Sequence, residues 1–303
     1  MKNLRINIDE PRDAQKYVTR AEHDYNNKLD GVIESIITGE MPKVITLAGP
    51  TCSGKTTTAG KLTRRIREAG KNPIVLSIDD FFLNRTDRNV VTGEAPDYDT
   101  VKAIDLDLLE DFVRDLLRGN TVKIPTYDFE ITQRTGYTEY MPGKDDVYIF
   151  EGIQAVYPEI TSLFGDGYSS IFICVADDVK YRGSVIGKND IRLCRRIVRD
   201  NNFRNATAEF SLHLWTSVRK NEEENIFPNA GGSKYFIDSF LRYEPFYLAR
   251  YARPLLETVP KDSRYRTVAE ELCEKLAAFE IPFFTDAMIP DKSMFREFIG
   301  DNK

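Results

Sequence analysis

The sequence predicts an α/β fold, a mostly parallel sheet flanked by helices, and three observations predict it. Short apolar, β-branched runs alternate along the chain with segments of helical periodicity, the order that parallel strands joined by crossover helices require. The segment Gly49-Pro50-Thr51-Cys52-Ser53-Gly54-Lys55-Thr56 has the spacing G-x-x-x-x-G-K-[ST] and stands between one such run and a helical run, the context of a phosphate-binding loop. Two of the runs end in a carboxylate, at Asp79 and at Glu151, and open parallel sheets gather their ligands at the carboxyl ends of strands.

Residues 1 to about 40 are charged and weakly periodic, and they predict a helical lead-in that docks through Val32, Ile33, Ile36 and Ile37. Val44-Ile45-Thr46-Leu47-Ala48 predicts the first buried strand. In the loop that follows, glycines let backbone N–H groups turn inward around phosphate oxygens, and the helix N-terminus adds partial positive charge. Gly49, Pro50, Thr51, Cys52, Ser53, Gly54, Lys55, Thr56 and Thr57 are therefore the expected nucleotide-binding residues of a P-loop NTPase, for ATP or GTP. Lys55 is placed to reach the β- and γ-phosphates, and the Thr56 hydroxyl to take a position on Mg²⁺.

Asn72-Pro73 breaks the chain, and Ile74-Val75-Leu76-Ser77-Ile78 predicts a second strand ending at Asp79-Asp80. Over 104–118, Leu109, Phe112, Val113, Leu116 and Leu117 share one helical face, with Gly119-Asn120 as the stop signal. Val122 to Phe129 and Tyr137 to Met141 predict a hairpin around Thr135-Gly136, inserted into the α/β order. The sheet resumes at Val147-Tyr148-Ile149-Phe150 and again at Ile171-Phe172-Ile173-Cys174-Val175. The organisation predicted is a lead-in (1–40), a core (41–230) holding the hairpin (about 121–141) and an Arg-rich lid (about 180–204), and a mostly helical extension of the same fold (231–303).

Composition narrows the function classes. Lys and Arg number 42 against 48 Asp and Glu, a net charge of −6, which disfavours broad nucleic-acid binding. Cys52, Cys174, Cys194 and Cys273 are scattered without a C-x-x-C pair, so neither a zinc site nor a disulfide framework is expected and a reducing cytoplasm suits the chain. No apolar run is long enough for a membrane span, and the N-terminus has no signal-like apolar core. His23 and His213 lie far apart without ligand spacing. The expected partner is a small molecule carrying a hydroxyl; the oligomeric state stays open, a homo-oligomer included.

Asp79 closes an apolar strand, where a carboxylate serves no core purpose, and suits a general base for a hydroxyl or a magnesium ligand; a helix cap is the plainer alternative. Glu151 follows the same logic as the acidic residue of a Walker B strand, or else a surface turn. Between 180 and 204 the chain gathers Lys180, Arg182, Lys188, Arg192, Arg195, Arg196, Arg199 and Arg204. On a helix Arg192, Arg195, Arg196 and Arg199 share one face, which fits a lid closing on a triphosphate, a solvated surface or a nucleic-acid patch. Tyr127 and Phe129 could form an aromatic wall for a flat ligand or ordinary strand packing.

The order of these motifs is itself informative. Gly49 to Thr58, Ser77-Ile78-Asp79-Asp80-Phe81-Phe82, Ile124-Pro125-Thr126-Tyr127-Asp128-Phe129, Ile149-Phe150-Glu151-Gly152 and the run Ile191 to Asp200 together resemble the uridine kinase and phosphoribulokinase family. Glu223-Glu224-Asn225-Ile226-Phe227-Pro228 and Arg296-Glu297-Phe298-Ile299-Gly300 are similar to tail motifs of bacterial uridine kinase-like nucleoside kinases, so the resemblance covers about 40–300. It implies a kinase that phosphorylates the 5′-hydroxyl of uridine or cytidine, with Asp79 as base, Thr56 and Glu151 (and Asp79) around Mg²⁺, and Arg192, Arg195 and Arg199 in the lid. It also implies acceptor contacts from Asp97 and Tyr127, and Phe129, Thr132 and Arg192 are the further candidate substrate-binding residues. Three positions depart from the family pattern: Ala95 and Thr132 stand where histidines are usual, the second reading the base edge in pyrimidine-specific members, and Asp80 replaces a serine. A kinase of another polyol or sugar phosphate is the nearest rival reading, and a nucleotide-binding regulator the rival from another class.

Overall fold

Val44–Ala48, buried at every position, is the central strand of a five-stranded sheet in a computed structural model that describes residues 1–84 and 100–300. All five strands are parallel, in the spatial order Tyr235–Asp238, Tyr168–Cys174, Val44–Ala48, Asp146–Gly152, Asn72–Ser77. From the central strand the chain goes to the edge strand Asn72–Ser77, fills the gap with Asp146–Gly152 and then crosses to the other side, which makes the carboxyl end of Val44–Ala48 a switch point where loops diverge and a crevice opens.

Both faces of the sheet are covered, and the two-residue alternation of strand side chains sorts the core accordingly. Ile45, Leu47, Val147, Ile149, Ile171 and Ile173 face a layer that includes the helices Pro11–Ile37, Lys55–Glu68, Lys188–Arg204 and Glu244–Glu257. Val44, Ala48, Tyr148, Phe150, Phe172 and Cys174 face the opposite layer, with the helix Leu106–Arg118. That helix is capped as its sequence dictates: the Asp105 side chain accepts from the Leu108 N–H, and Gly119 takes φ +80 at the C-terminus.

Three expectations are corrected, and the helical lead-in is met. The inserted hairpin pairs Val122–Asp128 with Gln133–Tyr140, so its turn lies at 129–132 and Thr135-Gly136 sit inside the second strand. The Asp128 carboxylate makes this turn by accepting from the N–H groups of Glu130 and Ile131, and Thr132 completes it at φ +54. The C-terminal part begins with a strand of the central sheet, Tyr235–Asp238, before its helices. The lead-in is a 27-residue helix, Pro11–Ile37, preceded by Lys2–Asn3, which pairs with Val179–Tyr181. Finally, 180–204, expected as an Arg-rich lid or a solvated helix face, is largely packed into the fold. It comprises a small hairpin, Val179–Tyr181 with Ser184–Ile186, turned by Arg182 and Gly183 at positive φ, and a helix whose middle is buried. Among the described residues no helix is long and apolar enough to cross a membrane.

Candidate functional site

The phosphate loop leaves the central strand under tight steric control. A Cβ on Gly49 would meet the Ile173 carbonyl oxygen at 2.1 Å, and Gly54 turns the chain at φ +91 into the helix Lys55–Glu68. No larger residue fits the first position, and only glycine enters the second without strain. Cys52 also takes φ +57, an uncommon conformation for a residue with a side chain. The Lys55 ammonium lies across the loop and donates to the carbonyls of Gly49 (2.8 Å) and Pro50 (3.2 Å), while the Thr58 hydroxyl donates back to the Gly54 carbonyl (2.8 Å).

Sheet register brings the two strand-end carboxylates to the same edge. Ser77 pairs with Glu151 and Ala48 with Gly152, and the Ser77 hydroxyl donates to the Glu151 carboxylate at 3.4 Å. Asp79 follows in a short 3₁₀ turn, Ile78–Phe81. Thr51 to Ser53, Lys55, Thr56, Asp79 and Glu151 line one cleft of about 690 Å³, which Phe129, Arg199 and Arg204 also border. A neighbouring cleft shares Thr51, Asp79, Phe129 and Arg204 and continues past Arg196, Lys220 and Arg264. The donors gathered here are hard oxygens, a hydroxyl and two carboxylates, the set Mg²⁺ takes from a protein when nucleotide phosphates supply the rest. Among the described residues no group of three or more His, Cys, Asp or Glu forms a metal site by itself.

Arg192 and Arg195, expected to face a triphosphate, are instead sealed beneath the loop. Arg195 is fully buried and pairs through Nε and Nη2 with Glu244, with Nη1 donating to the Cys52 carbonyl at 2.9 Å. Arg192, 1% exposed, pairs with Glu222 and donates to the Thr51 carbonyl at 3.3 Å. Their guanidinium groups are spent on glutamates and loop carbonyls, so both brace the loop from behind. Arg199 does border the cleft, its Nε and Nη2 held by Asp200. Breaking a buried pair strands the other charge, at about 3–5 kcal/mol. Glu244→Gln is therefore expected to lower unfolding stability by roughly that amount, measured by urea denaturation, and to weaken nucleotide binding through the slackened Cys52 carbonyl.

The aromatic residues divide. Tyr127 is buried, packing edge-on against Phe82 (5.6 Å between ring centroids) and Phe129 (5.2 Å), so it belongs to the hairpin's packing. Phe129 is half exposed and borders the cleft. Thr132 lies in the turn and is not among the residues lining these two clefts. Asp97 lies outside the described residues. Asp80 accepts from the Tyr127 N–H at 3.1 Å, and burial pushes its carboxyl above the usual range against that hydrogen bond; it ties the 3₁₀ turn to the hairpin.

Sequence reasoning missed Glu222, Glu244 and Glu297. The first two anchor the buried arginines. The third comes from the C-terminal part and accepts from both the N–H (3.2 Å) and the hydroxyl (2.9 Å) of Thr57. Its only advance signal was an acidic residue in the motif 296–300.

The chain is similar in sequence to proteins of one family. The model of the phosphoribulokinase / uridine kinase family matches residues 44–234. A uridine kinase of Halalkalibacterium halodurans is 28% identical over 211 residues, 66% of this chain and 92% of its own. Uridine-cytidine kinase B of Dictyostelium discoideum is 30% identical over 181 residues, 59% of this chain and 67% of its own. Among solved structures, one described as a possible uridine kinase from Bacillus stearothermophilus aligns with 71% of this chain and all of its own at 18% identity and a TM-score of 0.49.

Proposed function

Because the chain belongs to the phosphoribulokinase / uridine kinase family, and is a phosphotransferase acting on a hydroxyl group, we propose that it transfers the γ-phosphoryl of ATP or GTP to the 5′-hydroxyl of a pyrimidine nucleoside, uridine or cytidine. The observation that carries this reading is the common cleft of the phosphate loop, Asp79 and Glu151. Residues 49–57 bind the triphosphate, with Lys55 leaving its two loop carbonyls for the β- and γ-phosphates. Asp79 takes the proton of the acceptor hydroxyl as the new P–O bond forms. Thr56 and Glu151, with Asp79, would hold Mg²⁺, which supplies charge neutralisation on the phosphates when bound. Arg199 balances charge at the cleft's border. Phosphoryl transfer needs positioning and electrostatics more than a covalent intermediate, so no nucleophilic side chain is required. A reducing cytoplasm suits the four free cysteines, three of them buried.

A second reading has its own support. Arg196, Arg204, Lys220 and Arg264 line the adjoining cleft, a cationic wall that suits an acceptor already carrying a phosphate. The experiment compares kcat/KM for uridine, cytidine, a purine nucleoside, an uncharged polyol and a sugar phosphate with one preparation. Because Thr132 lacks the reach of a base-reading histidine, uridine and cytidine are expected to lead with the purine nucleoside partly accepted. Sharp pyrimidine selectivity would mean that another residue reads the base, and turnover of the sugar phosphate alone would replace the nucleoside reading by the second one.

A further inference from the structure

The Lys55–Glu68 helix begins at the phosphate loop, and its first N–H groups have no partner within the helix. Those N–H groups and the partial positive charge at the terminus make the anion site that a nucleotide phosphate uses. In this chain one of them is already taken. The Thr57 N–H and hydroxyl both point at one oxygen of the Glu297 carboxylate, which stands in the same cleft as Lys55, Thr56 and Asp79.

The segment that delivers Glu297 is firmly built. Met294, Phe295 and Phe298 are fully buried, the helix Lys188–Arg204 holds the Phe298 carbonyl through Asn202, and Arg296 donates to the carbonyls of Asp286 and Ile289. Arg195, already braced against the Cys52 carbonyl, lies under the Phe298 ring at 4.9 Å from its centroid. Met294 sits against Gly54 so closely that a Cβ there would be 2.8 Å from its Cγ. The backbone around Glu297 is thus fixed against the loop, and the part able to yield is the Glu297 side chain itself.

We propose that Glu297 sets nucleotide affinity by occupying, from within the chain, an anion position at the start of the Lys55–Glu68 helix, so that a nucleotide phosphate must displace its carboxylate. A carboxylate and a phosphate oxygen cannot share the same two donors, and two anions at contact distance repel. The apparent affinity for nucleotide is lowered by the fraction of molecules in which the carboxylate is seated. This inference rests on the reading of residues 49–57 as a nucleotide-phosphate loop.

The test is calorimetric titration of ADP and of adenosine into the full chain and into Glu297→Gln, with thermal unfolding of both in the absence of nucleotide. The amide keeps the shape but not the charge. Glu297→Gln is expected to bind ADP about tenfold more tightly, to leave adenosine affinity unchanged, and to unfold at a lower temperature because it has lost a charged cap. That opposition, tighter binding with lower stability, is what a purely structural cap would not produce. Unchanged or weaker ADP binding by a folded variant overturns the proposal, as does equal tightening toward adenosine. Should Glu297→Gln fail to fold, Glu297→Asp, one methylene too short to reach Thr57, carries the same expectation. ADP binding by neither the parent chain nor the variants would remove the phosphate-loop reading, and this inference with it.

Discussion

Lys55→Ala is expected to lower kcat/KM for phosphoryl transfer by about 10³-fold or more while the protein stays folded. The ammonium is the one full positive charge carried by the loop itself, and the backbone N–H groups around it supply only partial charges. Arg192 and Arg195 cannot substitute, since both are buried against glutamates behind the loop. The structural cost is smaller. Lys55 donates to the Gly49 and Pro50 carbonyls, and each such bond is worth about 1 kcal/mol. The loop is also held by the Arg192 and Arg195 contacts to Thr51 and Cys52. Kinetics on purified Lys55→Ala, with its thermal unfolding measured alongside, separate the two effects. A well-folded variant with unchanged turnover would remove the phosphate-loop assignment.

The parallel sheet was legible because its buried strands announce themselves locally. Val44–Ala48 and the stretch 147–150 within Asp146–Gly152 are short apolar runs, followed directly by Gly49 and by Glu151-Gly152. The convergence of the loop, Asp79 and Glu151 followed from one topological rule about strand ends. Tyr235–Asp238 was missed because four residues with an exposed phenylalanine and a terminal aspartate give too short a pattern. It is a strand only because the edge of Tyr168–Cys174 is there to pair with it.

The arginines show a different limit. Helical spacing put Arg192, Arg195, Arg196 and Arg199 on one face, but spacing says nothing about what covers a face. Burial was decided by Glu222 and Glu244, 30 and 49 residues further along, whose role depends on the helix Glu244–Glu257 and the segment at 222 folding against Lys188–Arg204. Glu297 is more distant still, 240 residues from Thr57. The hairpin turn failed for a local reason. Thr135-Gly136 looks like a turn, but the Asp128 carboxylate organises one four residues earlier, and a glycine inside a strand is tolerated where a bulge, here between Thr126 and Tyr127, disturbs the pairing.

In the proposed mechanism Asp79 takes the proton of an acceptor hydroxyl as it attacks the γ-phosphorus of a nucleotide held by residues 49–57. A carboxylate in this position is expected to contribute about 10²–10⁴-fold as a general base, and Asp79→Asn isolates that contribution, because the amide is nearly isosteric and cannot accept a proton at neutral pH. The measurement is a single turnover of γ-labelled ATP with uridine, run on the parent protein and on Asp79→Asn after titration has shown that both bind ATP. Label in the nucleoside monophosphate made by the parent, and at least about 10²-fold slower appearance with Asp79→Asn at equal ATP occupancy, is the predicted result. Near-normal transfer by a variant that binds ATP normally would leave Asp79 with a capping role only and contradict the mechanism.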